Sequence, residues 1–126
     1  MSITKEDLLQ LANDLLLNSA EVHHRSAVSR AYYAAYHGCL GWHANMPVPG
    51  SVDGPPGGVH QQLFNQLRNG APGWSISQKS LGRVLSMQLG GLKIRRTTAD
   101  YHLGKPFDEA TAATKCATAG TLLSKL

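Results

Sequence analysis

The stretch Arg25-Ser26-Ala27-Val28-Ser29-Arg30-Ala31-Tyr32-Tyr33-Ala34-Ala35-Tyr36-His37-Gly38 decides how this chain folds. Ala27, Ala31, Ala34, Ala35 and Gly38 recur at three- and four-residue spacing, the repeat of one helical face. So small a face lets a neighbouring helix approach closely, while Tyr32, Tyr36, Leu40 and Trp42 supply bulk beside it. This helix is expected to begin near Glu21, after a break at Asn18-Ser19-Ala20.

Towards the N-terminus, Thr4-Lys5-Glu6-Asp7 opens a helix in capping-box style, with Asp in place of Glu. Leu8, Leu11, Ala12, Leu15 and Leu16 mark its face. In the other direction, Met46 to Gly58 holds four prolines and four glycines, a composition that excludes regular structure. A loop this long in a compact domain is expected to be mobile or functional. It lacks the Lys-Ser/Thr ending of a phosphate-cradling loop. His60, Leu63, Phe64 and Leu67 mark a short third helix, stopped at Asn69-Gly70-Ala71-Pro72-Gly73. Ser75 or Ser77 caps a fourth, with Leu81, Val84, Leu85, Gln88, Leu89 and Leu92 as its apolar stripe. Leu103-Gly104-Lys105-Pro106 ends it, and a fifth runs from about Asp108 onward with Ala112, Ala113, Cys116, Gly120 and Leu123 inward. No segment alternates with a two-residue period. The expected fold is all-α: a single domain over residues 1–126, a bundle of four long helices plus one short helix.

A chain of 126 residues can bury a core without staples. Cys39 and Cys116 show no CxxC spacing and sit among apolar neighbours, so buried free thiols are expected. No apolar run approaches the roughly 18 residues of a membrane span. Met1 to Asp7 lacks a cationic start and an apolar core, so a cytoplasmic, membrane-free protein is expected. Charge is uneven: residues 1–63 carry three Lys/Arg against five Asp/Glu, and residues 64–126 nine against three. The net charges of −2 and +6 point the second half towards an anionic partner, nucleic acid before membrane. His23 and His24, near a helix start, are expected to be exposed, and His60 to be a cap-region residue. No two histidines stand i, i+4 and no acidic partner completes a site, so neither a metal nor a cofactor is expected.

The chemistry concentrates in Leu92-Lys93-Ile94-Arg95-Arg96-Thr97-Thr98-Ala99-Asp100-Tyr101-His102, at the end of the fourth helix. A guanidinium binds phosphate oxygens two at a time, and an imidazole transfers protons near neutral pH. On a straight helix His102 lies about 120° around from Arg96, whereas Arg95 shares its face about 10 Å away. One phosphate is shared only if the helix end bends, as Gly104 permits, or if a second chain contributes. Arg96 and Asp100 are also spaced for an intrahelical pair. On the second helix, Arg30, Tyr33 and His37 form a polar stripe suited to stacking and phosphate contacts.

The Arg25–His37 string and the Arg96-Thr97-Thr98-Ala99-Asp100-Tyr101 string, in that order, resemble the HEPN superfamily. The likeness is to the branch of small helical domains encoded beside a minimal nucleotidyltransferase. It implies a homodimer whose Arg-x(4–6)-His motifs share a cleft. The implied activity is metal-independent endoribonuclease action on single-stranded or loop RNA, leaving a 2′,3′-cyclic phosphate. Arg96 and His102 take the catalytic positions, Arg95, Asp100 and Tyr101 support them, and Arg30, Tyr33 and His37 face RNA. The setting implied is toxin–antitoxin or phage defence, with a nucleotidyltransferase antitoxin as possible partner. Thr97 stands where active members often carry Asn, Asp or His. The alternative is a non-cleaving RNA- or nucleotide-binding HEPN partner of the nucleotidyltransferase.

Overall fold

The computed structural model describes residues 2–126; Met1, the first residue of the leader reading, lies outside them. Five helices follow one another: α1 Lys5–Leu15, α2 Glu21–Ala44, α3 Val59–Asn69, α4 Ile76–Tyr101 and α5 Glu109–Ser124. The described residues form no strand, so the chain is an all-α bundle. Its lengths differ from the expectation: α2 and α4 are long, α5 has 16 residues, and α1 is as short as α3 at 11. The turn that cuts α1 short is held by His24, whose Nε2 bonds the Asn18 carbonyl at 2.8 Å. His24 is therefore buried, not exposed.

The helix starts follow local hydrogen-bond chemistry. Thr4 Oγ1 accepts from the Asp7 N–H at 3.1 Å while Asp7 Oδ2 accepts from the Thr4 N–H at 2.8 Å. Ser75, not Ser77, does the same with Gln78 for α4. Asp108 caps α5 by accepting from the Thr111 N–H at 2.6 Å, and those bonds hold its carboxyl below the usual carboxylate range.

Helix α2 is the central element and packs against α1, α4 and α5, while α3 packs on α4. Its Ala27, Ala31, Ala34 and Ala35 are wholly buried, as the small face required. A Cβ at Gly38 would stand 2.6 Å from Leu123 Cδ2, and one at Gly82 only 2.5 Å from the Leu67 carbonyl oxygen. These are the close approaches of α5 to α2 and of α3 to α4. Leu85, Leu89 and Leu92 of α4 complete the main core with Leu63, Phe64, Leu67 and Tyr32. On α5 the buried side is Ala112, Cys116, Ala119 and Leu122. Ala113 faces solvent, because the helix is rotated so that the 112–116–119 line, not 113, meets α2. Cys39 and Cys116 are free and buried, and burial pushes their thiols up to about 12 and about 11.

The proline- and glycine-rich loop is fastened down by side chains. Buried Asn65 donates from Nδ2 to the Val52 and Pro55 carbonyls at 3.0 and 2.9 Å. Asn69 holds the Ser51 carbonyl at 2.9 Å, and Trp74 Nε1 holds that of Val48 at 2.7 Å. The Gly50 N–H donates to His43 Nε2 at 3.0 Å. Where no ladder serves the backbone, these amides and rings satisfy it instead.

Candidate functional site

The buried stripe of α4 runs Leu85, Leu89, Leu92 and then, one turn on, reaches Arg96 before Ala99. An arginine thus occupies a position aimed at α2, with its side chain 16% exposed. Arg96 Nη2 donates to Tyr33 Oη at 2.8 Å. Its Nε lies 3.0 Å from Asp100 Oδ2, but the N–H does not point along that line, so the contact is an ion pair without a hydrogen bond. The guanidinium sits 5.9, 5.3 and 5.5 Å from the ring centroids of Tyr32, Tyr33 and Tyr101. Asp100 also accepts from Ser29 Oγ at 3.3 Å, which ties α4 to α2 a second time. Arg30 adds its guanidinium 5.5 Å from the Tyr33 ring, and exposed His37 stands edge-on to Tyr36 at 5.5 Å.

At the start of α3, His60 closes this face. Its ring stacks on Tyr36 at 4.2 Å and 20°, and its Nδ1 is hydrogen-bonded to Tyr32 Oη. Burial first, then the cations Lys93 and Arg96 and the ring of His37, holds the imidazole below its ordinary value. Burial, with Tyr36 beside it, raises the Tyr32 phenol, so that hydroxyl stays protonated. Among the described residues His60 Nε2 has no hydrogen-bond partner, and it is not sealed from solvent. From the sequence alone His60 takes a cap-region place and Tyr32 and Tyr36 a packing one, and none of these three, nor Lys93, is assigned to the site. The available signal was the spacing of His60 with Leu63, Phe64 and Leu67, which puts it on the inward face of α3.

His102 is elsewhere. It caps α4 with φ −111° and ψ 63°, and its exposed ring lines a groove of about 480 Å³ with Phe64, Ile94, Thr97 and Thr98. Arg96 does not line that groove. Helical geometry lasts through Tyr101, and Gly104 lies in a turn beyond, closed by the Lys105 N–H to the His102 carbonyl at 3.1 Å. No bend therefore brings the two groups together within one chain. Arg95 lines a separate hollow against α5 with Asp108, Thr111 and Lys115. The helical extrapolation that joined Arg95 to His102 fails because residue 102 has already left the helix.

Arg25, part of the first string, has a structural task. Only 7% exposed, its Nη1 donates to the Thr98 and Ala99 carbonyls at 3.0 Å each and to that of His102 at 3.3 Å. Its Nη2 donates to the Lys105 carbonyl, its Nε lies 3.5 Å from Glu21 Oε2, and Phe107 lies 5.2 Å below. The negative end of the α4 dipole thus meets a guanidinium whose fork serves several orphan carbonyls at once. Glu21 accepts from the Phe107 N–H at 2.9 Å and pins the following turn.

Among the described residues, no cluster of three or more His, Cys, Asp or Glu could hold a metal ion, and no helix is long and apolar enough to cross a membrane. No family model, no curated protein and no solved structure matches this chain.

Proposed function

We propose that this chain is a HEPN-like domain that binds single-stranded RNA on the face built from α2, the start of α3 and the end of α4. One observation carries the reading: on that face cations alternate with tyrosines. Arg30 and Arg96 both lie over Tyr33, and Lys93 Nζ lies 5.5 Å from the ring centroid of Phe64, one turn along α3 from His60. Asp100, among the described residues the one carboxylate drawn into the cluster, is already paired with Arg96. Guanidiniums hold phosphates while aromatic rings stack on bases, which is how single strands are bound without regard to sequence. RNA, and a toxin–antitoxin or defence setting with a nucleotidyltransferase partner, come from the resemblance of the two strings.

The proposal includes a second copy of the chain. Met87, Gly90, Ile94, Thr97 and Tyr101 follow 3-4-3-4 spacing along α4, the seam of paired helices. Met87, Ile94 and Tyr101 are 72%, 68% and 68% exposed, and nothing lies within 4 Å of a Cβ built at Gly90 or Gly91. A partner helix fits there. The Arg96–His102 site implied by the resemblance requires that second copy, because each chain alone keeps the two apart.

The test is fluorescence anisotropy with a labelled single-stranded RNA. Affinity should fall steeply with salt, the log–log slope losing about 0.7 for each phosphate contact removed by Arg30→Ala or Lys93→Ala. Absence of binding, or a flat salt response, refutes the reading. A second reading, cleavage of the bound strand without metal, is favoured by the imidazole of His60 standing beside the Arg96 cluster.

A further inference from the structure

Three features of His60 coincide at one place on the molecule. Its ring is fixed on both sides, by stacking on Tyr36 and by the Tyr32 hydroxyl at Nδ1. Its other nitrogen, Nε2, has no hydrogen-bond partner among the described residues and is not sealed from solvent. Around it stand Tyr32, Tyr33, Tyr36 and His37 of α2 and Lys93 and Arg96 of α4, while Asp100 is engaged by Arg96 and Ser29. A held imidazole with one free nitrogen, set among cations that attract phosphate, is the arrangement of a general base.

We propose that His60 Nε2 is the proton acceptor in metal-independent cleavage of RNA on this face, with Tyr32 as the positioning residue: its hydroxyl oxygen accepts from Nδ1–H and so holds the tautomer whose lone pair is on Nε2. The inference presupposes RNA bound on the α2–α4 face. In the step, Nε2 takes the ribose 2′-hydroxyl proton as the 2′-oxygen bonds to phosphorus. The bond from phosphorus to the 5′-oxygen breaks, its electron pair stays on that oxygen, and the Lys93 ammonium protonates it. Solvent then removes the proton from His60 and returns one to Lys93. The products are a 2′,3′-cyclic phosphate and a 5′-hydroxyl, with nothing oxidised or reduced. Arg96 holds charge at the phosphate through the N–H groups that Tyr33 and Asp100 leave free. Neither the sequence strings nor the Arg-x(4–6)-His motif contains His60.

The experiment incubates the intact chain with a single-stranded RNA oligonucleotide in EDTA and reads both binding and cut ends. The parent should bind and leave cyclic phosphate ends, and a strand with 2′-deoxyribose throughout should remain whole. His60→Gln should bind within about threefold of the parent and cut about 100-fold more slowly or worse. Free imidazole should restore cutting by His60→Ala. Because burial, and then the neighbouring cations, favour the neutral ring, the acid limb of the rate should be centred below pH 6.5, the ordinary imidazole value. Tyr32→Phe, which keeps the buried ring, should lower kcat about tenfold at unchanged KM and move the acid limb of the pH profile. A folded His60→Gln chain that cuts within threefold of the parent overturns the assignment. So does a parent that binds the strand and leaves it intact. Failure of the parent to bind RNA at all strikes instead at the binding reading beneath.

Discussion

Replacing Arg25 by alanine tests how the end of α4 is held. The change removes one guanidinium and, with it, four bonds to the carbonyls of Thr98, Ala99, His102 and Lys105. The bond to Ala99 is fully buried and the other three are part-buried, so water takes over the latter only in part. An unsatisfied buried carbonyl costs about 1–3 kcal/mol, and a hydrogen bond to a charged group is worth about 1.5–3 kcal/mol net. With lost packing on Phe107 included, the expected loss is about 3–4 kcal/mol, set against a domain stability of about 5–15 kcal/mol. For a chain of this size that lowers Tm by about 10–15 °C. Arg25→Lys should recover only part, since an ammonium has three donors on a point and no fork. The assay is thermal unfolding followed by circular dichroism at pH 7. A Tm within about 3 °C of the parent would show that water replaces Arg25 freely and that the clamp contributes nothing.

Three further outcomes are expected. His43 and His60 both have their imidazoles held below the ordinary value of 6.5, chiefly by burial, so the unfolded chain binds protons first as pH falls. Stability should be level above pH 6.5 and decline below it, and His43→Gln should flatten that decline in a series of melts; a Tm that rises on acidification contradicts the sign. Cys39 and Cys116, with thiols raised by burial, should resist iodoacetamide at pH 8 in the native chain and both react in denaturant, as read by mass. If the exposed α4 seam pairs two copies as proposed, the parent should sediment as a dimer and Ile94→Glu as a monomer with unchanged helix content; a monomeric parent, or a variant that stays dimeric, refutes that seam.

What could be read from the sequence was local. The Thr4 and Asp108 caps depend on residues three positions apart, and the small face of α2 repeats within four. Ser75 and Ser77 both qualified as caps; Gln78, three after Ser75, was the signal that separated them. The site was less legible because its contacts cross the chain. Arg25 meets carbonyls 73 to 80 residues away, and the Tyr32–His60 bond spans 28. No periodicity encodes such distances. Arg96 and Asp100 were singled out by the string that carries the resemblance and Arg30 and Tyr33 by their helical spacing, and the four do gather on one face. His102 was placed by extending a helix one residue past its end, where the rule no longer holds. Ala113 and Ala119 are alike in type, and only the rotation of α5 distinguishes them.

The alanines of α2 leave its surroundings with no room to yield. Overfilling such a seam typically costs about 1–3 kcal/mol. Ala27, Ala31, Ala34 and Ala35 are wholly enclosed, so even a modest enlargement there would push apart three helices together. Variation that alters the proposed site has to come from the opposite wall: the tip of α3, a short segment carrying His60 and seated by a loop that Asn65 laces shut. Diversifying Val59–Gln62 while leaving α2 untouched is accordingly the way to retune this surface without dismantling the scaffold beneath it.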